Sequence, residues 1–286
     1  MEGVFLGNLA SVYPSLGNVH RAIELDEQAL MLRRETRIRR GEGNSLGRLG
    51  NFCADLGDEY KAIEYSEMSL KIKRETGDRG GESIRLENIG HAWLSLNEYP
   101  KAKENYRYAI QIADEILFPL EQNKARWGLA KAYLFQNDLL NARATVEAAL
   151  QYDVPEYNHN ASALHGIIAL RQGDEVAARE AFVRAIGQAN EILSKTAKYY
   201  DALDAKGLAL CGLAICRSRL QRGTSDAEES SRSKRDLQDT IETFKKARKI
   251  APHAGIVKSV LRLFDELAKC DKKGILKKVR KAVGGE

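Results

Sequence analysis

Leu46, Leu49, Gly50 and Cys53 fall at i, i+3, i+4 and i+7. That spacing keeps one side of an α-helix apolar while its other positions face water. Gly57 follows, where a chain leaving a helix takes up left-handed backbone that glycine adopts without a Cβ clash. Asp58 comes next, with a carboxylate suited to capping the free N–H groups of a new helix. A second amphipathic stretch then carries Ala62, Tyr65, Ser69, Leu70 and Ile72. The pattern predicts a helix, a tight turn and a second helix, antiparallel to the first.

The unit recurs every forty residues. Residues 2–41 and 42–81 are identical at 17 of 40 aligned positions. Small residues stand at Ala10, Gly50, Gly90, Ala130 and Gly166 on the first helices, and at Ala22, Ala62, Ala102, Ala142 and Ala178 on the second. Seven positions after the second set come Ala29, Ser69, Ala109, Ala149 and Ala185. Small side chains at helical spacing let helices approach closely, while Tyr13, Trp93 and Tyr133 fill the gaps beside them. The interval contracts to 36 between Ala142 and Ala178. A sixth, altered pair begins near Tyr199, residues 221–234 read as a mobile loop, and helices are expected over 236–250 and 255–270. Residues 1–192 are thus expected to form the repeat array, and 193–286 a divergent pair with basic capping helices.

Self-similarity at such a period marks a stacked-repeat architecture. The small residue, the aromatic three positions on, the turn, and two small residues seven apart resemble the tetratricopeptide repeat (TPR) family over about residues 2–190. The usual period there is 34. Forty resembles the longer-repeat subfamily of kinesin light chains, polarity adaptors and the sensor arms of bacterial signalling ATPases. The six extra residues are expected in longer second helices and in linkers at 34–43 and 74–82. The resemblance implies an all-α, right-handed superhelical solenoid of antiparallel helix pairs, closed by a C-terminal capping helix. It also implies a non-catalytic protein- or peptide-binding scaffold: the ligand-sensing or partner-docking region of a larger signalling protein.

Composition narrows this only a little. The chain is 43% hydrophobic and 30% charged with five prolines, as suits a helical protein. It has no apolar run of membrane-spanning length and no signal-peptide pattern at its start, so a cytoplasmic location without membrane contact is expected. Cys53, Cys211, Cys216 and Cys270 have no metal-ligand spacing and read as packed thiols, and no cofactor is expected. The glycines at 41, 43 and 47 fail the phosphate-loop spacing and are read as an inter-repeat turn. His165, beside Gly166, reads as a core histidine rather than a general base. Val4, Phe5 and Leu9 lie on a first helix with no polar cap before it. That predicts a preceding effector domain, or an oligomer formed through the first repeat.

Candidate chemistry lies on the first helices. The TPR resemblance points to Asn8, Ser11, Arg48, Asn51, Asn88, His91, Trp127 and Lys131 as the lining of a concave groove. Their amides and cations are suited to a peptide backbone or a carboxylate. The net charge of +5 belongs to the C-terminal end, where residues 221–286 hold 17 Lys and Arg against 10 Asp and Glu. Lys272, Lys273, Lys277, Lys278, Arg280 and Lys281 crowd ten positions there. A nucleic-acid-contacting adaptor working through this tail is the alternative reading. It ranks second because the tail holds no aromatic residue for base stacking, and a frayed, solvated helix is expected instead.

The spacing yields one direct prediction. Ala102→Leu should overpack a helix contact and lower stability by about 1–3 kcal/mol, read from urea denaturation midpoints. An unchanged midpoint would place residue 102 on a free face.

Overall fold

A computed structural model describes residues 2–16, 18–220 and 227–285, and among them every regular element is helical. The chain falls into two compact units, residues 1–132 with 253–256, and residues 133–252 with 257–286.

The first unit is built from α1 (Glu2–Val12), α2 (Val19–Glu35), α3 (Arg39–Leu56), α4 (Glu59–Glu75), α5 (Arg79–Ser95), α6 (Tyr99–Glu115) and most of α7 (Pro119–Phe135). From α4 onward each of these helices is 17 residues long, and the connections between them are three residues. Two such helices and two such turns make the forty-residue period. The residues expected to form long linkers at 34–43 and 74–82 therefore belong mostly to helix, and the turns are only 36–38 and 76–78. Gly41, Gly43 and Gly47 likewise lie inside α3 rather than in a turn. There they leave room for neighbours, since a Cβ on Gly43 would meet Ile72 at 2.9 Å and one on Gly47 would meet Arg85 at 2.5 Å.

Six successive turns, from residues 36–38 to 136–138, use one device. The backbone N–H just after the left-handed residue reaches back five residues, as in Asp58 to Cys53 O, Asp78 to Lys73 O, Glu98 to Trp93 O and Phe118 to Ala113 O, all at 2.9 Å. That bond closes the helix end and requires a left-handed residue in the turn. Gly57 (φ 87°), Asn97 (63°) and Asn137 (61°) supply it within repeats, as their spacing predicts. Gly17, at the corresponding place, lies outside the described residues. The same device joins one repeat to the next through Arg37 (55°), Gly77 (66°) and Leu117 (52°). Asn18, Asp58, Asp78 and Asp138 then cap the following helices through side-chain oxygens.

Packing follows the small residues. Ala10, Ala22, Ala29, Ala102 and Ala109 are fully buried, as is Ser69. A third recurring position, not seen in the spacing, locks helix pairs together. Tyr106 is fully buried between Gly90 and Gly128, where added Cβ atoms would collide with its ring. Forty and eighty residues earlier the position holds Ser66 and Asp26. Asp26, fully buried, pairs with Arg48, which stands where Tyr106 meets Gly128. On the outer surface an ion-pair ladder spans the turns: Arg39 to Glu42 (2.9 Å) and Glu75 (2.6 Å), then Arg79 to Glu82 (2.6 Å) and Glu115 (2.5 Å).

The second unit holds α8 (Leu139–Ala149), α9 (Asn158–Gln172), α10 (Glu175–Lys195), α11 (Tyr200–Leu220), α12 (Ala227–Ile250), most of α13 (Ala254–Ala268), a 3-10 turn at Ile275–Lys278, and α14 (Arg280–Gly284). Neighbouring helices α9 to α12 again pack in sequence, and α14 rests on α12. Phe182 repeats the part of Tyr106, seated between Gly166 and Gly212. Buried ion pairs tie the later helices in: Arg248 of α12 with Asp204 of α11, and Arg171 of α9 with Glu266 of α13. The segment read as a mobile loop is corrected from residue 227 onward, where α12 has already begun; residues 221–226 lie outside the described residues.

Leu117 and Gly77 occupy equivalent left-handed turns, so opposite substitutions should have opposite effects. Nothing surrounds the missing Cβ of Gly77, so Gly77→Ala tests backbone strain alone, costing about 1–2 kcal/mol. Leu117→Gly should be neutral or raise stability by up to about 1 kcal/mol, because relief of strain is partly offset by glycine's entropy. Urea titration of both variants checks the pair, and a destabilised Leu117→Gly would show that its side chain matters more than its backbone.

Candidate functional site

The eight residues expected to line a groove do not share one fate. Asn8 and Ser11 on α1 are exposed, and the Ser11 hydroxyl is turned back to donate to its own helix at Asn8 O (2.7 Å). Arg48 is half-buried, with its guanidinium held by Asp26 and donating from Nε at 2.6 Å. Asn51, Asn88, His91, Trp127 and Lys131 are brought together across α3, α5 and α7.

The chain of contacts begins at Asn51, exposed on α3. Its Oδ1 accepts from Asn88 Nδ2 at 2.8 Å and lies 3.4 Å from Arg85 Nη1, which donates to Gly47 O at 2.7 Å. Turned the other way, the Asn88 amide donates to Glu87 at 2.8 Å and accepts from Arg85 at 3.3 Å. Glu87 is the centre of the cluster. It is 1% exposed, and its Oε1 lies 2.7 Å from His91 Nε2. The other ring nitrogen of His91, Nδ1, lies 2.8 Å from the Tyr106 hydroxyl. Lys124 places its ammonium 3.5 Å from both Glu87 and Glu121. Lys131, itself nearly buried, sits 3.4 Å above the Trp127 ring, and that ring meets His91 edge-on at 5.8 Å. A desolvated cation over tryptophan is worth about 2 kcal/mol.

The protonation states follow from this arrangement. Burial opposes ionisation of Glu87, but Lys124, His91 and Lys131 outweigh it and hold its carboxyl far below the usual carboxylate range. Burial dominates at His91 and lowers its pKa despite the Glu87 charge. A neutral imidazole therefore donates from Nε2 to Glu87 and accepts the Tyr106 proton at Nδ1. Glu121 is different. Burial pushes it up to about 7, Lys124 opposes this and Glu87 adds to it. Its Oε2 has no hydrogen-bond partner among the described residues, nor does Trp127 Nε1. The first-helix side thus presents amides above a largely buried ion cluster in which Lys124, Lys131 and Arg85 surround the Glu87 carboxylate.

Repeat spacing does not mark Arg85, Glu87, Glu121, Lys124 or Tyr106 as members of this site. One signal was available: Glu87 and His91 are four residues apart, the spacing of a helical ion pair. The others occupy phases that change identity from copy to copy, so no repeat pattern picks them out.

At the far end, Lys272, Lys273, Lys277, Lys278, Arg280 and Lys281 are all exposed, while Leu276, Val279, Ala282 and Val283 are buried. Asp271 caps the segment by accepting from Ile275 N (3.1 Å) and Leu276 N (2.8 Å). The expected frayed helix is in fact a folded, amphipathic closure. The four cysteines are buried free thiols, and burial pushes Cys53 up to about 11, as packed hydrophobes require. His165 is buried, and burial lowers its pKa.

No protein-family model matches the chain, and no curated protein is detectably similar in sequence. Solved structures are similar. The apo form of RapI matches with a TM-score of 0.69 at 12% identity, over 99% of this chain and 96% of that one. BtubC (BKLC) from P. vanneervenii matches with a TM-score of 0.56 at 19% identity, over 65% of this chain and 79% of that one. A tetratricopeptide repeat protein from Parabacteroides merdae matches over 99% of this chain and 98% of that one, at 15% identity and a TM-score of 0.48. At these identities the likeness is one of fold. The RapI and BtubC matches, together with the repeat pattern and consecutive helix pairs, make this an all-α, TPR-like architecture. Among the described residues no helix is long and apolar enough to cross a membrane.

Glu121 gives the cluster a pH signature. Between its ordinary value of 4.5 and about 7, the folded protein keeps a proton that the unfolded chain has lost. Stability contributed by neutral Glu121 is therefore complete below that window and lost as pH rises through 7. Glu121→Gln, which cannot ionise, should gain about 1–3 kcal/mol over the parent between pH 5 and pH 8. Parallel urea stability profiles for the two proteins would show that residue 121 carries no such charge.

Proposed function

We propose that this protein is a non-catalytic scaffold that recognises a protein or peptide on the first-helix side of its repeats, as the partner-docking part of a signalling protein. The observation that carries the reading is the polar row running from Asn51 through Asn88 to His91, Trp127 and Lys131. Three successive first helices contribute to it, and side-chain contacts join them. Buried packing positions recur from copy to copy, whereas this row changes composition, as a surface selecting one partner requires.

The chemistry favours an extended peptide. Asn51 is exposed, and in either orientation of its amide contact with Asn88 one edge of the Asn51 amide is left over for a peptide carbonyl or N–H. The ion cluster underneath fixes the row before any partner arrives, which lowers the ordering cost of binding. A preceding effector domain fits the same reading, since a docking array without chemistry of its own acts through what it is joined to.

The test begins with a displayed library of random peptides panned against the chain. A recovered peptide is titrated against the parent and the Asn51→Ala, Asn88→Ala double variant. At least tenfold weaker binding with an unchanged far-ultraviolet spectrum is expected, about 1.4 kcal/mol or more for two lost amide contacts. Equal binding by both proteins would overturn the row as the recognition surface.

A further inference from the structure

The basic C-terminal segment, read from sequence as a frayed tail, is folded, and this changes what it is able to do. Leu276, Val279 and Val283 point inward, with α14 lying against α12. Residues 236–285 contain thirteen Lys and Arg against six Asp and Glu. Several of these cations are already engaged. Arg248 pairs with buried Asp204, Arg280 with Asp265, Lys245 with Glu242 at 3.4 Å, and Lys273 donates to Ser218 O. Lys269 pairs with Glu266 at 2.5 Å, Arg262 lies over the Phe135 ring at 4.0 Å, and Lys258 is also engaged. The other six, Lys246, Lys249, Lys272, Lys277, Lys278 and Lys281, are exposed and make no ion pair among the described residues. The helix dipole accounts for a lysine in the last turn of α12, such as Lys249. In the terminal segment it applies at most to the lysines that end the short turns, such as Lys281 in α14, and to neither Lys272 nor Lys273, which lie outside any helix.

The composition of this surface discriminates between partners. Protein interfaces are anchored by aromatic, apolar or arginine side chains and are depleted in lysine. Here the apolar residues are buried, the arginines are paired, and the six free cations are all lysine. Insertion into a membrane needs a free apolar face, and that of α14 is used in packing, which leaves a membrane electrostatic attraction alone. Single-stranded nucleic acid is held largely by stacking on aromatic rings, which the segment lacks. What remains is a group of exposed point charges on folded elements packed against each other, with no aromatic ring among them. That suits the regularly spaced phosphates of a duplex. We infer that the lysine face formed by the end of α12 and the folded C-terminal segment binds the phosphate backbone of a nucleic-acid duplex without regard to sequence. This face shares no residue with the first-helix row.

The experiment uses the full chain and fluorescently labelled 20-base-pair DNA and RNA duplexes, read by anisotropy. Four to six phosphate contacts predict that affinity for the bound duplex falls about a hundred- to a thousandfold between 50 and 200 mM salt. Changing Lys246, Lys249, Lys277 and Lys278 together to Gln should flatten the salt slope by about 3–4 and weaken binding at 100 mM salt by at least about tenfold. The matching four-Arg variant should retain binding, which separates charge from fold, and both variants should keep the parent's melting temperature. The Asn51→Ala, Asn88→Ala protein should bind duplex as the parent does. Absence of binding at 50 mM salt would overturn the inference, as would undiminished binding by the four-Gln protein. So would equal affinity for a 20-residue poly-glutamate or for phosphatidylserine vesicles, or a tenfold preference between duplexes of equal length and different sequence.

Discussion

Everything in this chain depends on how closely its helices approach at small residues. Ala22, Ala102, Ala142 and Ala178 are all fully buried, each with a second small residue two turns on. A larger side chain at any of them would push two backbones apart. Close approach in turn dictates the turns. With helices this near, three residues suffice to reverse the chain, and a three-residue reversal requires a left-handed position. Gly57, Gly77, Asn97 and Asn137 meet that demand at low cost, whereas Arg37 and Leu117 meet it under strain. Local backbone and long-range packing are therefore one constraint.

The interlocking position adds register to proximity. Tyr106 between Gly90 and Gly128, and Phe182 between Gly166 and Gly212, are ring-into-glycine contacts. Asp26 with Arg48 solves the same geometric problem with charge. Replacing one partner alone would leave either a cavity or an unpaired buried charge, each worth several kcal/mol. Glycine at 128, where earlier copies carry Asn8, Arg48 and Asn88, is thus the counterpart of the largest interlocking side chain and no sign of a decaying repeat.

The sequence made the helices, the repeat boundaries and the buried alanines legible, because each depends on local spacing that recurs in phase. Gly57 and Asp58 announced a turn and a cap in adjacent positions, and both serve as such. What stayed hidden depends on contacts between copies. The inter-repeat turns at Arg37 and Leu117 have no glycine to mark them, so they read as linkers. Glu87 and Glu121 are charged residues in phases with no fixed identity, and nothing local distinguishes a buried carboxylate from a solvated one. Of the candidate row, Asn51, Asn88, His91, Trp127 and Lys131 come together. Asn8 and Ser11 stand apart on α1, because the ladder that joins the others begins at α3.

Packing also limits what a repeat protein has left for recognition. Most positions on these helices are claimed by helix contacts, and even polar ones such as Arg48 and Glu87 serve the core. Among the described residues, packing leaves free an amide edge at Asn51 on one unit and lysines without ion pairs on the other. These two sets differ in kind, one directional and nearly neutral, the other purely electrostatic. Directional hydrogen bonds select among ligands at short range, while unpaired lysines act over about a Debye length and sense only total charge. Folding the C-terminal segment fixes those lysines in place and so converts a diffuse surplus into a surface. That conversion rests on four buried apolar side chains, Leu276, Val279, Ala282 and Val283, whose burial turns every basic residue of the segment outward.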